Sequence, residues 1–146
     1  MPGSLITPLA DFFNTVPAGL VSLFLGIAAA GLAWHLNKTA VFWYPRGRVF
    51  LAPLAEELAK TLPAVILGAD IFLTHLVFGV VEGIWELFSV SRGGIYAGLA
   101  AVAGHAIFGA ITFWVIMQAG TVPALVAGYL AHAAWNGAVL KFLTLR

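Results

Sequence analysis

Residues 49–68 read VFLAPLAEELAKTLPAVILG. The stretch has the ~20 residues that a helix needs to cross a hydrocarbon core. Yet Glu56, Glu57 and Lys60 stand at its centre. In a soluble protein such a cluster would turn a helix face to water. The rest of the chain removes that reading. Of its 146 residues 62% are apolar and 9% are charged, with a mean hydropathy of +1.00. A soluble domain is about 45–50% apolar and about 25% charged. Too few polar side chains remain to coat a water-facing surface.

Outward from this stretch, four more apolar segments are long enough to span, at roughly 17–37, 70–90, 94–118 and 122–143. Together they predict an all-α fold, a polytopic membrane bundle of about five transmembrane helices forming one domain over residues 1–146. Strand alternation is missing, which argues against a barrel. The first sixteen residues carry no basic side chain and no apolar core with a cleavage site, so no cleaved signal peptide is expected. The net charge of +1 leaves no footprint for nucleic acid, so no nucleic-acid partner is expected. Cysteine is absent, which excludes disulfides, thiol nucleophiles and thiolate metal sites.

Basic residues set the expected orientation. Lys38, Arg46 and Arg48 follow the first span, Arg92 follows the third, and Lys141 and Arg146 follow the fifth. All fall on one side, which the positive-inside rule makes cytosolic. The expected location is a prokaryotic plasma membrane, with the N-terminus outside and the C-terminus in the cytoplasm. Trp34, Trp43 and Tyr44 fit an interfacial belt on the cytosolic side. Gly79-x-x-x-Gly83 and Gly94-x-x-x-Gly98 read as close helix packing. Pro53 and Pro63 bracket the charged part of the second span and predict a kinked or locally opened helix.

The later spans also hold ionisable groups: His75, Glu82 and Glu86 on the third, His105 on the fourth, and His132 with Asn136 on the fifth. Each costs a few kcal/mol in mid-membrane, so such groups face a bundle interior or a wet cavity. Glu57, Glu82, His105 and His132 lie nine to thirteen residues from their nearest basic anchors. At 1.5 Å per residue that is about 13–20 Å of depth. Four helices of alternating direction thus bring polar groups to nearly one level. One cavity made by spans two to five is expected, with span one peripheral because it has no mid-membrane ionisable group.

Plainer roles fit several of these residues. Lys60 is four residues after Glu56, the better spacing and order for an ion pair, although Glu57 is also in reach. That pairing leaves Glu57 as the base. Glu86 is near enough to pair with Arg92, His35 suits the interface, and His75 suits hydrogen-bonded packing. No serine lies mid-span, no His-Glu-x-x-His motif exists, and Asp11 and Asp70 lie at edges. Carboxylate plus histidine remains. A glutamate can act as general base with His132 and Asn136 as oxyanion donors. Alternatively Glu82, His105 and His132 form a two-histidine, one-carboxylate zinc set with Glu57 as base. Zinc and a metal-free glutamate mechanism stay equally open.

Glu56-Glu57-x-x-Lys60, Phe78-x-x-x-Glu82, the lone His105 and His132-x-x-Trp135-Asn136 together resemble the PrsW family of intramembrane proteases, which is related to the type-two CAAX prenyl proteases and the bacteriocin-immunity proteins. The resemblance runs from about residue 50 to 140. It implies hydrolysis of peptide bonds in membrane-anchored protein substrates. It implies Glu56 or Glu57 as the water-activating base and His132 with Asn136 as oxyanion donors. Where the prenyl proteases carry histidine in the second motif, this chain has Glu82, so His105 or Glu82 would supply the partner. The chain is short for the family, which implies a minimal enzyme or a core completed by a partner, a homo-oligomer among the choices. Two other classes compete: a non-catalytic scaffold or proton-relay protein built on the same buried charges, and a bis-histidine haem protein using His105 and His132.

Overall fold

The structure is a computed structural model that describes residues 15–43, 47–89 and 93–144. Five helices follow in order: α1 (Ala18–Trp43), α2 (Gly47–Ile66), α3 (Ile71–Ser89), α4 (Gly94–Ala119) and α5 (Thr121–Thr144), with no strand among the described residues. Three stretches are long and apolar enough to cross a membrane: Ala18–Lys38, Ile71–Ser89 and Gly94–Ala119. The two helices that fall short are α2, with Glu56, Glu57 and Lys60, and α5, with His132 and Asn136. Arg46, Arg92, Arg146 and Tyr44, and the N-terminal stretch before Thr15, lie outside the described residues, as do the side chains of Trp43 and Arg48.

The bundle is inside-out by the standard of a soluble protein. Phe88 is 82% exposed, while Lys60, Glu57, His75 and His105 are among the largest fully buried side chains. Apolar residues outside and charges inside are what a bilayer solvent selects. A water-soluble monomer rarely leaves so large a continuous apolar surface uncovered.

Tight turns make neighbouring helices antiparallel. After α2 the chain turns at Gly68, whose φ of 64° is left-handed and suits a helix C-terminus. Asp70 then starts α3, its Oδ1 accepting the Leu73 N–H at 2.8 Å. The Asp70 N–H donates to Ser22 Oγ on α1 at 2.9 Å, which ties this turn to a second helix.

Pro53 and Pro63 do not open α2, which is helical from Gly47 to Ile66. Of the expected kinked or locally opened helix, the opened form is therefore not the one found. Pro53 is fully buried within the bundle, the setting in which a membrane helix tolerates proline.

Two small apolar clusters complete the packing. Val21, Leu25, Ala64 and Ile71 join α1, α2 and α3 at one level, and Ala29, Ala30, Ala33 and Phe78 join α1 to α3 at another. Helices α3 and α4 approach most closely. A Cβ on Gly98 would sit 2.6 Å from the Gly83 carbonyl oxygen, and one on Gly83 would sit 2.8 Å from that of Gly98. Here backbone meets backbone, as small-residue motifs allow in membranes. Helix α5 lies against α4 and α2, and α1 lies against α2 and α3.

Candidate functional site

The site gathers around the ammonium of Lys60. Its Nζ donates to Glu57 Oε1 at 2.7 Å and to His105 Nδ1 at 3.1 Å, and it lies 4.3 Å from the Phe78 ring centre. Glu57 Oε1 also receives His132 Nδ1 at 3.0 Å. On the far side of His105, its Nε2 lies 2.6 Å from Glu82 Oε2. Four helices thus contribute to one connected network, as their common depth predicts. His132 stacks on Phe108, with centroids 4.5 Å apart, and meets His105 edge to face at 5.0 Å. These aromatic walls leave the polar groups little rotamer freedom.

The hydrogen bonds assign the imidazole protons. An ammonium has only donors, so His105 Nδ1 accepts and its Nε2–H points at Glu82. Glu57 paired with Lys60 is an acceptor, so His132 Nδ1–H donates to it. His132 Nε2 lies 3.6 Å from Glu56 Oε2, an oxygen with no hydrogen-bond partner among the described residues. Glu56 is 3% exposed, and its other oxygen accepts Asn37 Nδ2 at 2.8 Å.

Three expectations are corrected. First, Lys60 pairs with Glu57 rather than with Glu56. Both spacings are reachable on a helix, and neighbouring residues point about 100° apart. Tertiary partners accompany the choice: Glu57 meets His132 of α5 and His75 of α3, while Glu56 is held by Asn37 of α1 and has only its other oxygen, at 3.6 Å, toward His132. Second, span one is not peripheral, because Asn37 on α1 holds Glu56. Sequence reasoning passed over Asn37 as an uncharged residue near a helix end. Its one legible signal is an amide just before a basic anchor on an otherwise apolar helix.

Third, Glu82, His105 and His132 do not converge as a zinc set. Glu82 stands behind His105 with its side chain 35% exposed. The buried trio that does converge is Glu56, His105 and His132, with one ligand atom of each within 4.8 Å of the others. That trio fits zinc poorly. Both nitrogens of His105 are engaged, one by Lys60 and one by Glu82, so an ion would have to break one of these bonds.

The remaining residues have definite places. His75 is fully buried, its Nε2 3.2 Å from Thr61 Oγ1 and its Nδ1 3.8 Å from Glu57 Oε2. This matches its reading as a hydrogen-bonded packing residue and also puts it against the network. Asn136 stands half-buried on α5, one turn beyond His132. Trp34 meets Trp85 edge to face at 5.7 Å, with Lys38 Nζ 3.7 Å from its ring centre, near the end of the bundle that carries Lys38.

Among the described residues, the buried polar atoms without a protein partner are Asn37 Oδ1, Glu56 Oε2, Glu57 Oε2, His75 Nδ1 and Thr112 Oγ1. Four belong to residues just described, and Thr112 adjoins them through Gly128. A Cβ on Gly128 would lie 2.5 Å from Thr112 Oγ1 and 2.9 Å from Glu57 Oε2. Leaving a buried acceptor unpaired costs about 1–3 kcal/mol, so such a concentration of atoms in one place calls for a reason beyond packing. A cleft of about 90 Å³ between α2 and α5, lined by Leu54, Leu58, Leu125, Val126 and Tyr129, reaches Glu57. Comparison with known proteins brings no match to a family model, to a curated protein or to a solved structure.

Proposed function

We propose that this protein is an intramembrane protease of the kind the PrsW resemblance implies, hydrolysing peptide bonds of membrane-anchored proteins by metal-free, carboxylate-activated water. One observation carries the reading: Glu56 Oε2, which has no hydrogen-bond partner among the described residues, lies 3.6 Å from His132 Nε2 inside an apolar bundle. A water beside the pair donates one hydrogen to each acceptor and keeps its own lone pair for attack. On attack at the scissile carbonyl carbon, its proton passes to Glu56 Oε2. For the tetrahedral oxyanion the resemblance implies His132 and Asn136 of α5 as donors; with His132 Nε2 engaged by the water, Asn136 takes that role. Glu56 then returns its proton to the leaving amine as the carbon–nitrogen bond breaks.

The other residues serve this pair. Glu57 holds His132 in the tautomer that leaves Nε2 free, as a carboxylate does behind a catalytic histidine. Lys60 neutralises Glu57 and fixes His105, and Glu82 holds the far side of that ring. Glu56, which lacks the ammonium contact, is therefore the base rather than Glu57. Lys38 and Lys141 at one end of the bundle support the N-out, C-in orientation in a prokaryotic plasma membrane.

The rivals fare less well on the same geometry. A haem held by His105 and His132 would have to pass between rings already in edge contact. A scaffold needs its buried polar atoms satisfied, whereas Glu56 Oε2 and Asn37 Oδ1 have no hydrogen-bond partner among the described residues. The test is cleavage of single-span membrane proteins co-expressed with the wild type or with Glu56→Gln. Cleavage that disappears with Glu56→Gln supports the reading. Equal product with both variants would overturn it in favour of the scaffold.

A further inference from the structure

Asn37 sits where two helices fail to close. Helices α1 and α5 both pack on α2 but make little contact with each other. Glu56 looks into this seam, with Asn37 of α1 on one side and His132 of α5 on the other. The Asn37 amide is split in function. Nδ2 donates to Glu56 Oε1 at 2.8 Å, which fixes the carboxylate with Oε2 turned to His132. Oδ1 is buried and has no hydrogen-bond partner among the described residues. The assignment of the two ends follows from the carboxylate, which has only acceptors to offer an amide. A buried amide oxygen beside a base, in a seam between helices, is an acceptor for a donor brought from outside.

A peptide chain that is to be cut must be extended there, because a helical segment has its N–H groups engaged and its carbonyls shielded. An extended segment presents free backbone N–H groups, and in the bilayer core each one needs a partner. We infer that Asn37 registers the substrate: Oδ1 accepts a backbone N–H of an extended, membrane-embedded peptide lying in the α1–α5 seam, while Nδ2 holds Glu56 against the adjoining carbonyl. Asn37 is thus a binding and positioning residue, and α1 forms one wall of the substrate site. The inference rests on the proteolytic reading above.

The test uses the purified full-length protein in nanodiscs and a single-span model substrate. A matched set replaces one backbone N–H near the cut by an ester oxygen, one position at a time. For the wild type, one ester position raises KM by about tenfold or more, the size expected for losing a bond to a buried acceptor. With Asn37→Ala that penalty falls below about twofold, and kcat drops because Glu56 is no longer held. With Asn37→Asp an acceptor oxygen remains but the donor is lost, so the ester penalty persists while kcat falls. A structural role alone would lower the folded fraction without moving the ester penalty. If Asn37→Ala does not fold, the Asn37→Asp and wild-type arms decide: the inference falls if they show no ester-sensitive position. It also falls if Asn37→Ala folds and keeps the wild-type penalty. Cleavage that depends on Glu56 but ignores Asn37 overturns this inference alone. Cleavage that is indifferent to Glu56 overturns the proteolytic reading with it.

Discussion

Lys60 Nζ lies 2.7 Å from Glu57 Oε1, and this single contact divides the labour of two adjacent glutamates. Glu57 becomes half of a buried ion pair and the anchor of His132. Glu56, one residue earlier, keeps an oxygen with no hydrogen-bond partner among the described residues. Both are almost fully buried, so neither is a solvated bystander.

The division predicts opposite phenotypes for two isosteric changes. Glu56→Gln keeps the Asn37 contact and removes the proton acceptor. Cleavage should fall by roughly 10²–10⁴-fold, the usual worth of a general base, with thermal unfolding in detergent nearly unchanged. Glu57→Gln leaves the Lys60 ammonium buried without its anionic partner and should cost ~3–5 kcal/mol. Equal stability of the two variants would contradict the pairing.

Removing the ammonium probes the same pair from its other side. Lys60→Met should destabilise by ~3–5 kcal/mol, because the Glu57 charge is left uncompensated. Adding Glu57→Leu to Lys60→Met should recover much of that loss, since replacing both members of a buried pair by apolar groups is often neutral. The double variant should nevertheless be inactive, because His132 loses the acceptor that sets its tautomer. A double variant no more stable than Lys60→Met would argue against a strongly coupled pair.

Helix packing is tested by two glycines with contrasting surroundings. A Cβ on Gly98 would meet the Gly83 backbone oxygen at 2.6 Å, whereas one on Gly31 would meet nothing within 4 Å. Gly98→Ala should cost ~1–3 kcal/mol as overpacking forces α3 and α4 apart. Gly31→Ala should be neutral or stabilising by ~0.5–1 kcal/mol, the difference in helix preference. Unfolding of the two variants side by side gives the comparison, and equal effects would refute the close approach.

Orientation is read by labelling single cysteines in intact cells. Thr121 begins α5 and Lys141 lies near its other end. Thr121→Cys should react with a membrane-impermeant maleimide added outside, and Lys141→Cys should react only after lysis. Reaction of both from outside would show that α5 does not cross.

The amino-acid sequence by itself determined the class of solvent and the number of helices. Its apolar content leaves no water-facing surface, and its apolar runs set five helices to within a few residues, except that α1 continues to Trp43. Depth counting from the basic anchors also brought Glu57, Glu82, His105 and His132 to one level, because helical rise is constant. Azimuth was not legible in the same way. Helix spacing allows Lys60 to reach either Glu56 or Glu57. Only the tertiary placement of Asn37 against Glu56 and of His105 against Lys60, with His132 reaching both glutamates, settled the choice. The same holds for the metal set. Glu82 shares the level of the two histidines but approaches His105 from behind, which a one-dimensional count along each helix cannot register. Depth is a property of a single helix, and pairing depends on how several helices are rotated against one another. That rotation is set by side-chain packing between helices, so the tertiary structure alone decided which carboxylate was left unpaired.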